Sequence, residues 1–393
     1  MIMSEWKEYR LNEIGTVVGG ATPSTMHPEY YDGSIPWITP KDLTNWKDVY
    51  ISKGERSITE AGYKSASCKI MPRGSVLFSS RAPIGYIAIA ANDICTNQGF
   101  KSVVPNPDLV ESVFLYYSLL YNRERIKALG SGTTFAEISG KVMSNVCIRI
   151  PSLQEQRSIA SILSSLDSKI ENNRKICANL EAQAQALFKH WFIDFAPFKD
   201  GKFVESELGM IPEGWRVGSI LDIAELYDHQ RKPLSSMERE DMKGDYPYYG
   251  ATSIMDYIDK YIFDGTYVLM GEDGSVVKDN GCPYLQYVWG KFWPNNHAHV
   301  MQGKNGFSTE MLYCFLSKTD VRSIVTGAVQ MKISQRSMSH LLTVIPSKSV
   351  CGDYNRIIRP LFDLIKSTKE ENDRLSSLRD TLLPKLMSGE IIV

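Results

Sequence analysis

The sequence carries almost no net charge. Its 44 Lys and Arg face 45 Asp and Glu, which leaves −1 at neutral pH. Bulk charge therefore supplies no drive toward a polyanion, and binding to nucleic acid must rest on local patches or on a partner. Residues 1–150 hold 16 basic and 14 acidic side chains (16 − 14 = +2), and residues 205–348 hold 14 and 18 (14 − 18 = −4). The seven cysteines, at 68, 95, 147, 177, 282, 314 and 351, include no CxxC pair. An odd, scattered set fits a reduced, cytoplasmic chain better than a disulfide framework. No stretch of about 18 apolar residues is present, so no membrane span is expected. The opening MIMSEWKEYRLNEIG lacks the apolar h-region of a signal peptide.

Catalytic signatures are also missing. There is no Asn-Pro-Pro-Tyr or Asp-Pro-Pro-Tyr tetrapeptide of an amino-methyltransferase, and no GxGxxG opens a helix after a strand. Gly132 to Lys141 has the wrong spacing for a phosphate loop, with Val142 where Ser or Thr is needed. Asp167-Ser168-Lys169 and Asp241-Met242-Lys243 match a nuclease tripeptide, but tripeptides this short recur by chance. His297-Ala298-His299 places two imidazoles on one face of a strand. With no third ligand in the sequence pattern, they read as two polar histidines, and no metal is expected.

What the chain does contain is a repeat. Gly132–Ser152 and Gly327–Ser347 align without a gap at an offset of 195 (327 − 132). Identities fall at Gly132/Gly327, Ile138/Ile333, Ser139/Ser334, Met143/Met338, Ser144/Ser339, Ile150/Ile345, Pro151/Pro346 and Ser152/Ser347. Upstream, Trp6 and Glu13-Ile14 are echoed by Trp215 and Asp222-Ile223. A period of half the chain is too long for a solenoid, whose repeats run about 20–50 residues. It describes two α+β globules, each followed by a helix, related by pseudo-twofold symmetry.

The expected organisation is a first globule over 1–151, a helix over 152–195, a linker over 196–204, a second globule over 205–347 and a helix over 348–393. The globules read as short strands between turns such as Gly19-Gly20, Asp32-Gly33, Asp273-Gly274 and Asn280-Gly281, with a helix over 109–129 in the first. In the first long helix Ile159, Leu163, Leu166, Ile170, Asn173, Cys177, Leu180, Ala184, Leu187 and Trp191 alternate steps of four and three. That is a heptad seam. Ile357, Leu361, Leu364, Thr368, Glu371, Leu375, Leu378 and Leu382 do the same in the second, where Pro360 marks the first turn or a kink and Pro384 ends or bends the helix. At an offset of 198 (371 − 173) the seams superimpose and Asn173 faces Glu371. An antiparallel pair would bring these polar middles together and fix register. The alternative is two amphipathic helices, each packed on its own globule.

This arrangement resembles the specificity subunits of type I restriction–modification enzymes. Local wording agrees: Leu153-Gln154-Glu155-Gln156-Arg157-Ser158-Ile159 opens the first helix, Leu208-Gly209-Met210-Ile211-Pro212-Glu213-Gly214-Trp215 opens the second globule, and Leu382-Leu383-Pro384-Lys385-Leu386-Met387-Ser388-Gly389-Glu390-Ile391 closes the chain. The resemblance implies a non-catalytic subunit whose two target-recognition domains each read half of a split double-stranded DNA sequence. It implies that the helices form an antiparallel coiled coil that separates the domains and docks two DNA adenine methyltransferase subunits. Those partners would bind S-adenosylmethionine, and motor-nuclease subunits using ATP and Mg would add cleavage; this chain would hold no cofactor. Two other readings stay open: a coiled-coil scaffold with two protein-binding modules, and the same DNA reader in a methylation-only or other restriction system.

The family does not fix the base-reading residues, so these rest on chemistry. Reading base edges needs amide, hydroxyl and guanidinium groups on turns that reach the major groove. In the first globule the candidates are Ser79, Ser80, Arg81, Asn97, Gln98, Thr133 and Thr134. In the second they are His229, Gln230, Arg231, Lys232, Asn295, Asn296, His297, Gln330 and Lys332. If the helices separate the readers, Ile159 to Trp191 spans 33 residues (191 − 159 + 1), about 48 Å at ~1.5 Å per residue. That is the scale of a gap of at least one DNA turn, ~34–36 Å.

Overall fold

The computed structural model describes residues 6–131, 136–327 and 330–393. Among these, no helix is long and apolar enough to cross a membrane. The chain divides into two compact units, 1–174 with 370–393, and 175–369. The divisions fall inside the long helices Leu153–Phe192 and Lys348–Ser388, so each unit holds one globule and a part of both helices.

In the first unit, strand Lys7–Arg10 pairs antiparallel with Cys147–Ile150 at the root of the globule. A five-stranded sheet runs in the order Gly15–Gly19, Lys101–Pro105, Val76–Ser80, Ile84–Ala90, Tyr50–Ile51. A three-stranded sheet places Tyr31–Ile38 between Ser57–Ile58 and Cys95–Thr96, with Trp37 opposite Cys95 in a parallel pairing. The helix expected over 109–129 is two pieces, Ser112–Tyr121 and Arg123–Lys127, parted at Asn122.

The second unit repeats this plan. Arg216–Ser219 pairs with Leu342–Ile345 at the root. One four-stranded sheet runs Ala224–Leu226, Ala298–Gly303, Tyr267–Gly271, Leu285–Val288, and another Ile254–Ile258, Lys243–Tyr249, Lys291–Pro294, Phe263–Asp264. Here Tyr248 opposite Trp293 is the parallel pairing that corresponds to Trp37 and Cys95.

The repeated residues hold this shared plan. Ile138, Ile333, Met143 and Met338 are fully buried, and Ile150 and Ile345 nearly so. The Ser139 and Ser334 hydroxyls accept the first free N–H groups of the short helices Gly140–Ser144 and Gln335–Met338. Ser152 and Ser347 do the same for the long helices, accepting from Glu155 and Val350. Just beyond, Gln156 spends its buried amide on the Leu109 and Pro151 carbonyls and on the Glu111 N–H, which pins the helix to its globule.

Within each unit the two helices run antiparallel, because partner numbers fall on one as they rise on the other. In the first unit Asp167 meets Arg379 at 2.6 Å, and Asn173 donates to Glu371 at 2.7 Å and to Asn372 at 2.9 Å. In the second, the Cys177 thiol lies 3.8 Å from the Ile365 carbonyl and the Tyr354 hydroxyl 3.4 Å from that of Ala184. The polar middle expected around Asn173 and Glu371 is present, with Asn372 added to it. The Asn173 amide first, and then Lys169, hold the Glu371 carboxyl below its ordinary range against the opposing cost of burial.

The first helix buries Ile159, Leu163, Ile170, Asn173, Cys177, Leu180 and Ala184 as expected, with Leu166 half-buried, then Phe188 and Phe192 instead of Leu187 and Trp191. In the second helix Thr368 is buried and Glu371 meets Asn173 as expected, but the apolar positions on either side are displaced by one residue. Ile358, Phe362, Ile365, Leu383 and Leu386 are buried, whereas Ile357, Leu364 and Leu378 are exposed and Leu361, Leu375 and Leu382 half-buried. The offset relating the buried apolar positions Ile159 and Leu163 to Ile358 and Phe362 is therefore 199 (358 − 159 and 362 − 163). The second helix begins at Lys348 and runs to Ser388, so Pro360 lies beyond its first turn and Pro384 does not end it.

The segment expected as a linker is packed structure. Ala196–Phe198 forms a 3-10 turn and Phe203–Ser206 pairs with Gly209–Pro212 in a hairpin. Phe195 and Phe198 set their rings 5.6 and 4.9 Å from Trp215. All seven cysteines are free thiols, and burial pushes Cys95 and Cys314 up to about 12, which leaves them unreactive near neutral pH.

Candidate nucleic-acid interface

Most of the candidate residues gather at one place in each unit, and the same backbone scaffold builds both. In the first, the Ser80 N–H donates to the Gly99 carbonyl at 2.7 Å and the Ile138 N–H to the Ser80 carbonyl at 3.0 Å. In the second, the Glu272 N–H donates to His297 at 2.8 Å and the Ile333 N–H to Glu272 at 2.8 Å. Asn97 accepts the Gly99 N–H on its side-chain oxygen at 2.9 Å, and Asn295 accepts that of His297 at 2.8 Å. Three chain segments thus meet in one geometry: 79–81, 97–99 and 137–139, and in the second unit 271–273, 295–297 and 332–334.

This geometry corrects several candidates. Ser79 and Ser80 are fully buried; Ser79 donates to the Pro83 carbonyl and accepts the Tyr86 N–H, and Ser80 donates to Gly99. Asn295 is buried and Asn97 half-buried, and each spends its oxygen on a turn of its own backbone. Ser79, Ser80 and Asn295 hold the scaffold and do not offer groups outward, whereas Asn97 both holds its turn and lines a cavity with Arg81. Arg81 and Gln98 do reach the surface, and Arg81 and Lys41 both line a cavity of about 480 Å³. Thr133 and Thr134 lie outside the described residues.

Arg231 is a further correction. Its side chain is only 12% exposed, and its guanidinium bonds Glu272 at 2.6 Å, the Ala298 carbonyl at 2.7 Å and the Asp228 carbonyl at 3.2 Å. It is the centre of a buried polar network that sequence reasoning missed. His299 places Nδ1 2.6 Å from Asp228 and Nε2 2.7 Å from the Ile333 carbonyl, tying the network to the repeated segment. Burial opposes ionisation of Asp228, but His299, the Val300 N–H and the Gln335 amide outweigh it and hold the carboxyl below its ordinary range. Asp228, Glu272 and His299 bring ligand-type atoms within 4.8 Å of one another. Both ring nitrogens of His299 are engaged, however, and Arg231 supplies the positive charge, so these groups are spent on one another. His297 instead faces Asp273. The signal in the sequence was the wide separation of Asp228, Glu272 and His299, which no local motif joins.

Around this network His229, Gln230, Lys232, Asn296, Gln330 and Lys332 are exposed and His297 half-exposed. They offer donors and acceptors of the kind that read base edges. Replacing Arg231 with Ala leaves Asp228 and Glu272 buried without their cation and is expected to cost about 3–5 kcal/mol in chemical denaturation. Because the Asp228 carboxyl is depressed in the fold, its contribution is present above the unfolded value of ~3.9 and is lost as pH falls through the lower folded value. An Asp228→Asn variant, already weaker at pH 7, should therefore lose less stability than the parent below about pH 4. Equal acid sensitivity of the two would contradict this assignment.

Comparison with known proteins places the chain. Residues 3–182 and 212–377 each match the type I restriction modification DNA specificity domain. The MjaIX type I specificity subunit of Methanocaldococcus jannaschii is 36% identical, over 100% of this chain and 95% of that protein. The HindI specificity subunit of Haemophilus influenzae is 22% identical, over 99% of this chain and 100% of its own. Among solved structures, the type I S subunit from M. genitalium superimposes with a TM-score of 0.58 at 18% identity, covering 98% of this chain and 97% of that one. Two matched domains, near-complete coverage of a 36% identical relative and a shared fold show that this chain belongs to the family of type I restriction–modification specificity subunits.

Proposed function

We propose that this chain is the non-catalytic DNA reader of a type I restriction–modification complex, acting in the cytoplasm. Each unit reads one half of a split double-stranded target. The long helices set the distance between the halves and dock two DNA adenine methyltransferase subunits, which bring S-adenosylmethionine. Motor-nuclease subunits join through that complex and supply ATP- and Mg-dependent cleavage. The observation that carries this reading is the duplicated scaffold that presents a different set of polar side chains in each unit: Arg81, Gln98 and Lys41 in one, His229, Gln230, Lys232, Asn296 and Lys332 in the other. Duplicated backbone with divergent side chains is what two readers of unlike half-sequences need. Exposed Ile357 and Leu364, one heptad apart in the second unit, and Leu378 in the first offer apolar surface for the docked subunits.

The near-neutral charge predicts how DNA binding depends on partners. Alone, the chain should bind DNA weakly at physiological salt. With methyltransferase subunits it should bind tightly, with log affinity falling by ~0.9 per phosphate contact for each unit of log salt. Electrophoretic mobility shift over a salt series measures both. Tight sequence-specific binding by the chain alone would contradict the division of labour, and no binding even with partners would favour a protein-binding scaffold.

A further inference from the structure

Glu137 lines the cavity of about 480 Å³ in the first unit, together with Arg81, Asn97 and Lys41. Its carboxylate lies 3.4 Å from the Arg81 guanidinium and 3.4 Å from the Lys101 ammonium. Both contacts are longer than the ~2.7–2.9 Å of a strong charge-assisted bond. The Arg81 and Glu137 side chains are 36% and 39% exposed, so a ligand entering the cavity reaches both.

The repeat gives this position its meaning. Glu137 corresponds to Lys332 (332 − 137 = 195), and both precede the identical pairs Ile138-Ser139 and Ile333-Ser334. The backbone is the same and an ion pair is kept, since the Lys332 ammonium lies 3.2 Å from Glu272. The sign at this one position is exchanged, and the partner moves with it: Glu272 stands at the Ser80 position of the shared scaffold, one residue before that of Arg81. A scaffold requirement is met by either arrangement. What the exchange alters is the hydrogen-bond character turned outward: a carboxylate only accepts, and an ammonium only donates. In the major groove that difference separates bases, because a carboxylate accepts from cytosine N4 while guanine O6 and N7 accept from Arg or Lys.

We propose that Glu137 is a specificity-determining residue of the first unit, accepting from N4 of a cytosine while Arg81 donates to a guanine in the same half-site. The inference rests on the DNA-reading function proposed above. Its test is a genome-wide methylation map of cells carrying the full complex with the parent chain, Glu137→Gln or Glu137→Asp. Glutamine removes the acceptor-only carboxylate and suits adenine, so Glu137→Gln should reduce discrimination at one C·G pair of one half-site by roughly 5- to 150-fold, the span of a good base contact. Glu137→Asp keeps the carboxylate on a shorter stem and should retain the cytosine, with less methylation. The proposal is overturned if Glu137→Gln leaves the motif unchanged, or if both variants lower methylation alike at every site. Absence of any split motif with the parent chain would instead sink the DNA-reading function itself.

Discussion

Inserting one heptad into each long helix is expected to lengthen the preferred spacer between half-sites by about three base pairs, with both half-sequences unchanged. Seven residues add ~10 Å along a helix. Seven is also the insertion that returns the seam to the same face, so the antiparallel packing survives. At ~3.4 Å per base pair along the axis, 10 Å corresponds to about three pairs. The effect on the original sites should be close to complete, because sites with the old spacing no longer place both halves under their readers. Methylation of a series of DNA duplexes with graded spacers measures the optimum. An unchanged optimum in a folded, active insertion variant would refute the helices as a ruler.

Truncating Phe362 to Ala should destabilise the second unit by about 3–5 kcal/mol, the cost of emptying a buried aromatic site. Phe362 is 1% exposed, and its ring stands 4.8 Å from Tyr287 and 5.8 Å from Tyr313. Leu364, two residues on, is 48% exposed. Its replacement by Ala should change stability by no more than ~0.5 kcal/mol. Denaturant unfolding of the two variants tests the one-residue displacement of the seam directly, since the heptad pattern alone ranks Leu364 above Phe362. A larger loss for Leu364→Ala would restore that pattern as the buried face.

That displacement shows where the sequence stops informing. The second helix carries two neighbouring apolar stripes, Ile357-Leu361-Leu364-Leu375-Leu378-Leu382 and Ile358-Phe362-Ile365-Leu383-Leu386. Both keep steps of three and four once the polar positions between are counted, Thr368 and Glu371 in the first and Lys369, Asn372, Ser376 and Arg379 in the second, and periodicity cannot tell which stripe a partner covers. The duplicated plan was legible because the repeated residues are buried anchors and helix caps, whose chemistry tolerates little change. Phe195 and Phe198 were hidden for the opposite reason: beside Pro197 and Gly201 they look like a linker until Trp215 arrives from downstream.

The candidate site was legible as a place and less so as a set of side chains. Turns rich in Ser, Asn and Arg marked segments that the fold brings together. Those residue types serve equally to satisfy a turn's own backbone, which is what Ser79, Ser80, Asn97 and Asn295 do. Asn two residues before Gly99 or His297 was itself the sign of such a turn. Arg231 was buried by partners 41 and 67 positions away, Glu272 and Ala298, which no local pattern connects to it.

The central claim is that each unit reads its own half of a split target. A genome-wide map of methylated motifs, comparing the parent chain with Arg81→Ala in the assembled complex, tests it most directly. The account predicts a bipartite motif for the parent, and for the variant a loss of ~1–3 kcal/mol of discrimination at a guanine in one half only. Equal weakening at all sites would make Arg81 a phosphate contact, and altered preference in both halves, or a motif without a gap, would contradict the claim.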